Sequence, residues 1–376
     1  MDKFDRRNWL KAVGLACGVM AAPRRLIAAP IQPSASHAAD KGLVRLSLNE
    51  NPFGPSPSVV TALRREFASL CRYTDSGFAG LLSSIAAKEG ISEEQIILGE
   101  ILEPLGTYLS LQGGPGGEFI YSDPGYTALI DSAAAVGGVA IPVPLNREMQ
   151  NDLPAIASRV NQRTRAMFLV NPHNPTGTVS DALELKRFVR ALSNRALVIV
   201  DEAYLEFADS FPQRTLAHLV NDGENAIVFR TFAKAYGLAG LDIGYGLVPK
   251  SIAQTLRKQG LDNPHLFNRL AVAAAAASLK DANYVSSIAG KVASERKVWF
   301  ELFRELRVNA TASSGNFLFF ETGIPHADFA AALLKEGVDI GRAFPPYDRW
   351  ARISIGLPEE NAFARAAVRK MLTARD

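Results

Sequence analysis

Between residues 95 and 250, short apolar runs rich in β-branched residues recur: QIIL (95–98), EFIYSD (118–123), VAIPVPL (139–145), RAMFLVN (165–171), ALVIVDEAY (196–204) and AIVFRTF (226–232). Helical patterns such as 181–194 separate several of them. Continuous apolar strands joined by crossover helices predict a mostly parallel sheet covered on both faces, and hence one large α/β domain. Upstream, 59–89 has a helical pattern interrupted by RYTDSGF (72–78), and LVRLSLNENPFGPSP (43–57) reads as an extended arm outside the compact core. Downstream, a long alanine-rich helical region leads to strand patterns in GNFLFFET (315–322), GVDIGR (337–342) and WARISIG (350–356), with a helix over 326–336. The pattern therefore divides the chain into a leader (1–38), an arm (39–60), a large domain (61–260) and a smaller α+β domain (261–376), the last boundary falling within 250–285.

At 376 residues, 48% apolar and 21% charged, the chain has enough apolar material for these cores. Its formal charge of +3 is concentrated in the leader, where Lys3, Arg6, Arg7, Lys11, Arg24 and Arg25 face only Asp2 and Asp5. The remainder is close to neutral, which gives no reason to expect nucleic acid or a charged membrane surface as partner. MDKFDRRNWLKAVGLACGVMAAP places two adjacent arginines before an apolar stretch too short to span a bilayer. It resembles a twin-arginine signal. Cleavage after Ala38, with an earlier option near RRLIAAPIQ, would leave a periplasmic protein without stable membrane association, whose single Cys71 forms no intrachain disulfide.

In parallel sheets ligands gather at the carboxyl ends of strands. Here FLV is followed by NPHNPTG (171–177), LVIV by DEAY (201–204) and IVFRTF by AKAYGLAG (233–240). Singly these are bland: a strand-end lysine is usually solvated, NPTG is a turn, and DEAY suits a helix start. Together they match the needs of pyridoxal 5'-phosphate. Lys234 supplies the amine that bonds its aldehyde, Asp201 the acid partner of its ring nitrogen, and Asn174 with Tyr204 the donors to its phenolic oxygen.

LNENPFGPSP (48–57), RYTD (72–75), NPHNPTG, DEAY, KAYGLAG (234–240) and RISIGLPEEN (352–361) occur in the order of the class I/II, fold-type I aminotransferases, and the chain resembles most closely their histidinol-phosphate aminotransferase branch over about 43–370. The resemblance implies a homodimer using amino-acid and 2-oxo-acid substrates. It also implies that Tyr126 in DPGYTAL stacks on the pyridine face, that Tyr73 reaches the phosphate of the neighbouring subunit's cofactor, and that Arg352 grips the substrate α-carboxylate through its planar fork. Asn51 would line the entrance, and Asn316 the small-domain side.

Two positions depart from the family. Its serine just before the lysine is Ala233 here, and its phosphate-binding arginine eight residues after the lysine is Asp242. A carboxylate beside a phosphate dianion is repulsive by about 1 kcal/mol or more, so Asp242 must turn away, find a cation, or mark a cofactor held differently. The family's Gly/Ser-rich helix start reads LGEILEPLG (98–106), with Glu100, Ile101 and Leu102; Thr231 and Tyr73 remain as phosphate partners. The expected reaction is amino-group transfer between an L-amino acid and a 2-oxo acid. A decarboxylase, a lyase, an amino-acid oxidase or a non-catalytic ligand-binding relative are the alternatives. Histidinol phosphate is not the expected substrate of an exported protein, because histidine biosynthesis is cytoplasmic, and Arg342 in GRAFPP is a candidate for an acidic substrate group.

Overall fold

The structure is a computed structural model that describes residues 42–373; the expected leader, its twin arginines and its cleavage site lie outside them. Seven strands form the central sheet: β2 (Ile96–Leu98), β3 (Glu118–Asp123), β4 (Val139–Pro144), β5 (Thr164–Val170), β6 (Leu197–Asp201), β7 (Ala226–Thr231) and β8 (Gly244–Leu247), after a separate β1 (Val44–Leu46). Their order is β2-β8-β7-β6-β5-β3-β4, with β8 antiparallel to both its neighbours and the other pairs parallel. The two reversals at β8 leave β2 running in the direction of the parallel majority. Residues following β2, β5, β6 and β7 therefore emerge at one edge.

Strands β5, β6 and β7 read as unbroken apolar runs because both faces are covered. One face packs with Ile97, Phe119, Phe168, Ile199, Ile227 and Phe229, and the other belongs to a larger core containing Met167, Val198, Val228 and Leu247. The covering helices start on side-chain caps. Ser56 accepts from Val59 N ahead of Pro57–Glu66, Asp181 from Leu183 N and Glu184 N ahead of Ala182–Leu192, and Asn268 from Leu270 N ahead of Arg269–Leu279.

The C-terminal part carries β9 (Phe317–Glu321), β10 (Val338–Ile340) and β11 (Trp350–Ser354), with helix His326–Lys335 where the pattern places it. β9 and β11 pair antiparallel, while β10 pairs parallel with β1. That pairing corrects the reading of 43–57 as an arm outside the core. Leu46 is buried, and a Cβ on Gly237 (φ 72°) would run into the backbone carbonyl of Gly54. The segment is clamped against the loop that carries Lys234. No helix among the described residues is long and apolar enough to cross a membrane.

Beneath the sheet edge lies a buried ionic network. Arg230 Nη2 stands 3.2 Å from Glu202 and 3.5 Å from Glu89, and its Nη1 3.4 Å from Glu206. Tyr245 donates to Glu89 at 2.7 Å, and Thr215 to Glu202 at 2.8 Å. Arg230 thus serves three carboxylates, 89, 202 and 206, with Lys88 Nζ a further cation 3.5 Å from Glu89. Removing it strands buried negative charge, so Arg230→Met is expected to lower the unfolding free energy by ~3–5 kcal/mol; chemical denaturation showing a loss below about 1 kcal/mol would refute the network's role.

Candidate active site

The sheet edge gathers the strand-end residues that the sequence singles out. Asp201 closes β6, 3% exposed, and its Oδ1 accepts from Ala203 N at 2.9 Å. Burial raises its carboxyl from the ordinary 3.8 to about 6, against the opposing pull of that N–H and of Lys234. Lys234 follows β7, half-buried, with Nζ 5.6 Å from the centre of the Tyr204 ring and 3.5 Å from the carbonyl of Leu48. The Tyr204 hydroxyl accepts from Asn49 Nδ2 at 3.3 Å and, more distantly, from Asn174 Nδ2 at 3.5 Å, and Phe317 packs edge-on to its ring.

Arg352 comes from β11 and is buried over Phe344 and Phe317. Its Nη1 donates to Asn174 Oδ1 at 2.7 Å and its Nη2 to the carbonyl of Ser47 at 2.6 Å, while Nε is buried without a partner. Burial, assisted by nearby Arg342, lowers its pKa to about 10. The guanidinium stays charged at neutral pH. Arg342 itself lies against the Phe344 ring at 4.3 Å.

Tyr126 is brought to the same edge. Burial of its phenol and the charges of Asp201, Glu103 and Glu100 push its pKa up, and Gly125 allows the turn before it to close, since a Cβ there would meet the carbonyl of Ser122. Thr231 is present as well, but its hydroxyl donates to Glu100 Oε1 at 2.6 Å. Tyr73 is not part of this cluster: it is 69% exposed and rests on the ring of His265 at 4.9 Å.

Asn51 differs from its expected place at the entrance. It is buried, donating to Ala235 O at 3.0 Å and accepting from Phe53 N at 3.1 Å, so it ties the N-terminal segment to the residue after Lys234. Asn316 does related work, donating to the carbonyls of Asn49 and Glu50. The residue that sequence reasoning passed over is Asn49, held with φ 55° and bonded to both Tyr204 and Ser354. Its only signal was an asparagine, a residue type that tolerates positive φ, in an otherwise extended segment. Asp242 is exposed, with φ 48°, and its charge still reaches Glu100.

The donor set fits the ring of pyridoxal 5'-phosphate. A buried acid whose one hydrogen bond comes from a backbone N–H suits a protonated ring nitrogen, two polar side chains converge where a phenolic oxygen would need donors, and an amine lies beside them. Among the described residues no group of three potential metal ligands occurs.

The family model for aminotransferase class I and II matches residues 41–367. The chain is 35% identical to histidinol-phosphate aminotransferase of Moorella thermoacetica, over 91% of this chain and 89% of that one. It is 36% identical to histidinol-phosphate aminotransferase 2 of Pseudomonas fluorescens, over 88% and 89%. The crystal structure of histidinol-phosphate aminotransferase from Sinorhizobium meliloti in complex with pyridoxal-5'-phosphate superposes with a TM-score of 0.80 at 29% identity, covering 96% of this chain and 100% of that one.

Asp201 yields a stability test with a defined sign. Its folded-state pKa is raised, so the folded chain binds the extra proton between about pH 4 and 6, and stability falls as pH rises through that window. Asp201→Asn removes a charge that burial disfavours. In cofactor-stripped protein at pH 7 it is expected to stabilise by on the order of 2 kcal/mol. The gain should vanish near pH 4; a destabilised variant at pH 7 would contradict the assignment of the shift to burial.

Proposed function

The chain belongs to the class I and II aminotransferases and is a pyridoxal-phosphate-dependent enzyme, and from that premise we propose that it transfers an amino group from an L-amino acid to a 2-oxo acid in the periplasm, with Lys234 as the central base. The observation that carries the reading is the joint delivery of Asn174, Asp201, Tyr204 and Lys234 to one sheet edge. The bound cofactor supplies an electron-poor ring that accepts the electron pair left on the substrate when its Cα proton leaves.

The protein's own residues do the rest. Asp201, ionised against a protonated ring nitrogen, keeps that nitrogen's proton in place. Tyr204 and Asn174 would donate to the cofactor's phenolic oxygen. Arg352 would take the substrate α-carboxylate in its planar fork, exchanging the bond to Asn174 Oδ1 for a carboxylate, while Asn174 Nδ2 is the donor available to the cofactor. Lys234 Nζ would take the substrate's Cα proton as general base and deliver it, as general acid, to the cofactor's C4′ carbon. The aromatic walls, Phe317 and Phe344, keep water from the fork of Arg352.

Export by the twin-arginine route rests on residues 1–38, and folded export suits a protein that acquires its cofactor before crossing the membrane. Homodimerisation is favoured by the exposed apolar side chains Phe67, Leu70, Tyr73 and Leu266, which flank the Tyr73–His265 contact. In that assembly Tyr73 completes the neighbour's site. Histidinol phosphate is the substrate named for relatives of this chain; the exported location argues for a different amino acid here.

Lys234→Ala is expected to abolish turnover, by at least ~10³-fold, and to remove the borohydride-reducible visible chromophore. A chromophore and full activity in the variant would sink the assignment. Product analysis with an amino-acid panel should show a new amino acid formed only when a 2-oxo acid is added. Carbon dioxide, ammonia or peroxide released without an acceptor would instead favour a decarboxylase, a lyase or an oxidase.

A further inference from the structure

The ring of pyridoxal 5'-phosphate carries its groups in a fixed order: nitrogen, methyl, phenolic oxygen, aldehyde, phosphate arm. With Asp201 at the nitrogen, Tyr204 and Asn174 at the phenolic oxygen and Lys234 at the aldehyde carbon, the phosphate arm must lie on the side of Lys234 away from Tyr204. In the strand order β2-β8-β7-β6-β5 that side belongs to β8 and β2. The residues standing there are Thr231, Glu100, Gly244 and Asp242, and they offer no cationic cup.

Glu100 follows β2 and crosses the front of β8, where a Cβ on Gly244 would lie 2.9 Å from Glu100 Oε1. Thr231 donates to that oxygen at 2.6 Å and accepts from Ala233 N at 3.0 Å, so both its hydrogen-bonding roles are used within the protein. Behind it, Ile101 and Leu102 are buried at the start of helix Leu102–Leu111, which has no side-chain cap. Of the charges that act on Glu100, Asp201 from β6 and Asp242 ahead of β8 oppose its ionisation and Lys234 favours it; Tyr126, after β3, feels Glu100 in turn, together with Glu103.

We propose that Glu100 binds the cofactor phosphate as a carboxylic acid, with Thr231 holding Oε1 and the proton on Oε2 donated to a phosphate oxygen, so that phosphate affinity is linked to a proton. The inference rests on the cofactor reading above. Burial is the main influence on this carboxyl and, with Asp201 and Asp242, lifts it from 4.5 to about 7 against the opposing pull of the Thr231 hydrogen bond and of Lys234. Below that pH the acid donates; above it, a carboxylate faces a dianion and repels it.

The test compares two probes on cofactor-stripped, full-length protein: pyridoxal 5'-phosphate and pyridoxal, which lacks the phosphate. Both titrate the same lysine and ring contacts, so the ratio of their affinities between pH 6 and 8.5, read from visible absorbance, isolates the phosphate end. A phosphate monoester becomes a dianion near pH 6, so a cationic anchor would make the preference for the phosphorylated form level or rising with pH. Glu100 predicts the reverse, a preference that falls by up to ~10-fold per pH unit above about 7. Glu100→Gln, which keeps a donor and cannot ionise, should flatten the ratio. A level or rising ratio in the native chain overturns the proposal, as does a variant that retains the native slope, or binding of pyridoxal alone at every pH. If neither probe forms a chromophore with Lys234, the cofactor reading fails first and this one with it.

Discussion

Burying a carboxyl at the end of β6 with a backbone N–H as its hydrogen-bond donor is the constraint around which the rest of this structure is arranged. Asp201 gains nothing for the fold there: desolvation disfavours its charge, and the one hydrogen bond from Ala203 N does not offset it. The position has value only when a positively charged group comes to it. The parallel strands β5, β6 and β7, covered on both faces, supply the burial that holds such a group in place and carry its cost.

The adjacent residue shows the contrast. Glu202 is as deeply buried as Asp201, yet it meets Arg230, Thr215 and the Leu216 amide. On β7 the same division recurs, with Arg230 turned into the ionic network and Thr231 turned to Glu100. Consecutive side chains at strand ends leave on opposite sides, so β6 and β7 each place one polar residue in the site and one in the network beneath. The network fixes the paths of β6 and β7 by satisfied pairing and thereby positions Asp201 and Thr231.

Much of this was legible in the sequence. The strands with unbroken β-branched runs announce themselves, and the polar residues that follow them are the site, because sheet topology converts sequence position into a shared edge. What escaped is non-local or conformational. β8 is Gly-Tyr-Gly-Leu, too short and glycine-rich to carry a strand pattern, and the Pro/Gly character of 43–57 concealed a pairing with Val338–Ile340, nearly the whole chain away. Asn49 matters through a positive φ that composition does not reveal, and the network of Arg230 draws its acids from two distant segments, Glu89 and the Glu202–Glu206 stretch. Glu100 was visible as a departure from the family, but its bond to Thr231 was not.

Asp201 and Glu100 are raised by the same cause, burial, and the charge of Asp201 acts on Glu100. A cationic ring nitrogen would hold Asp201 in its ionised form while offsetting its charge, so burial and Asp242 remain the influences that keep Glu100 toward the protonated form. Asp242, though exposed, acts on Glu100 in the same direction as burial. The two family positions replaced by Ala233 and Asp242 are then consistent with one another. Removing cations from the phosphate end is what allows a neighbouring acid to stay protonated, and one retained arginine there would have drawn that proton off.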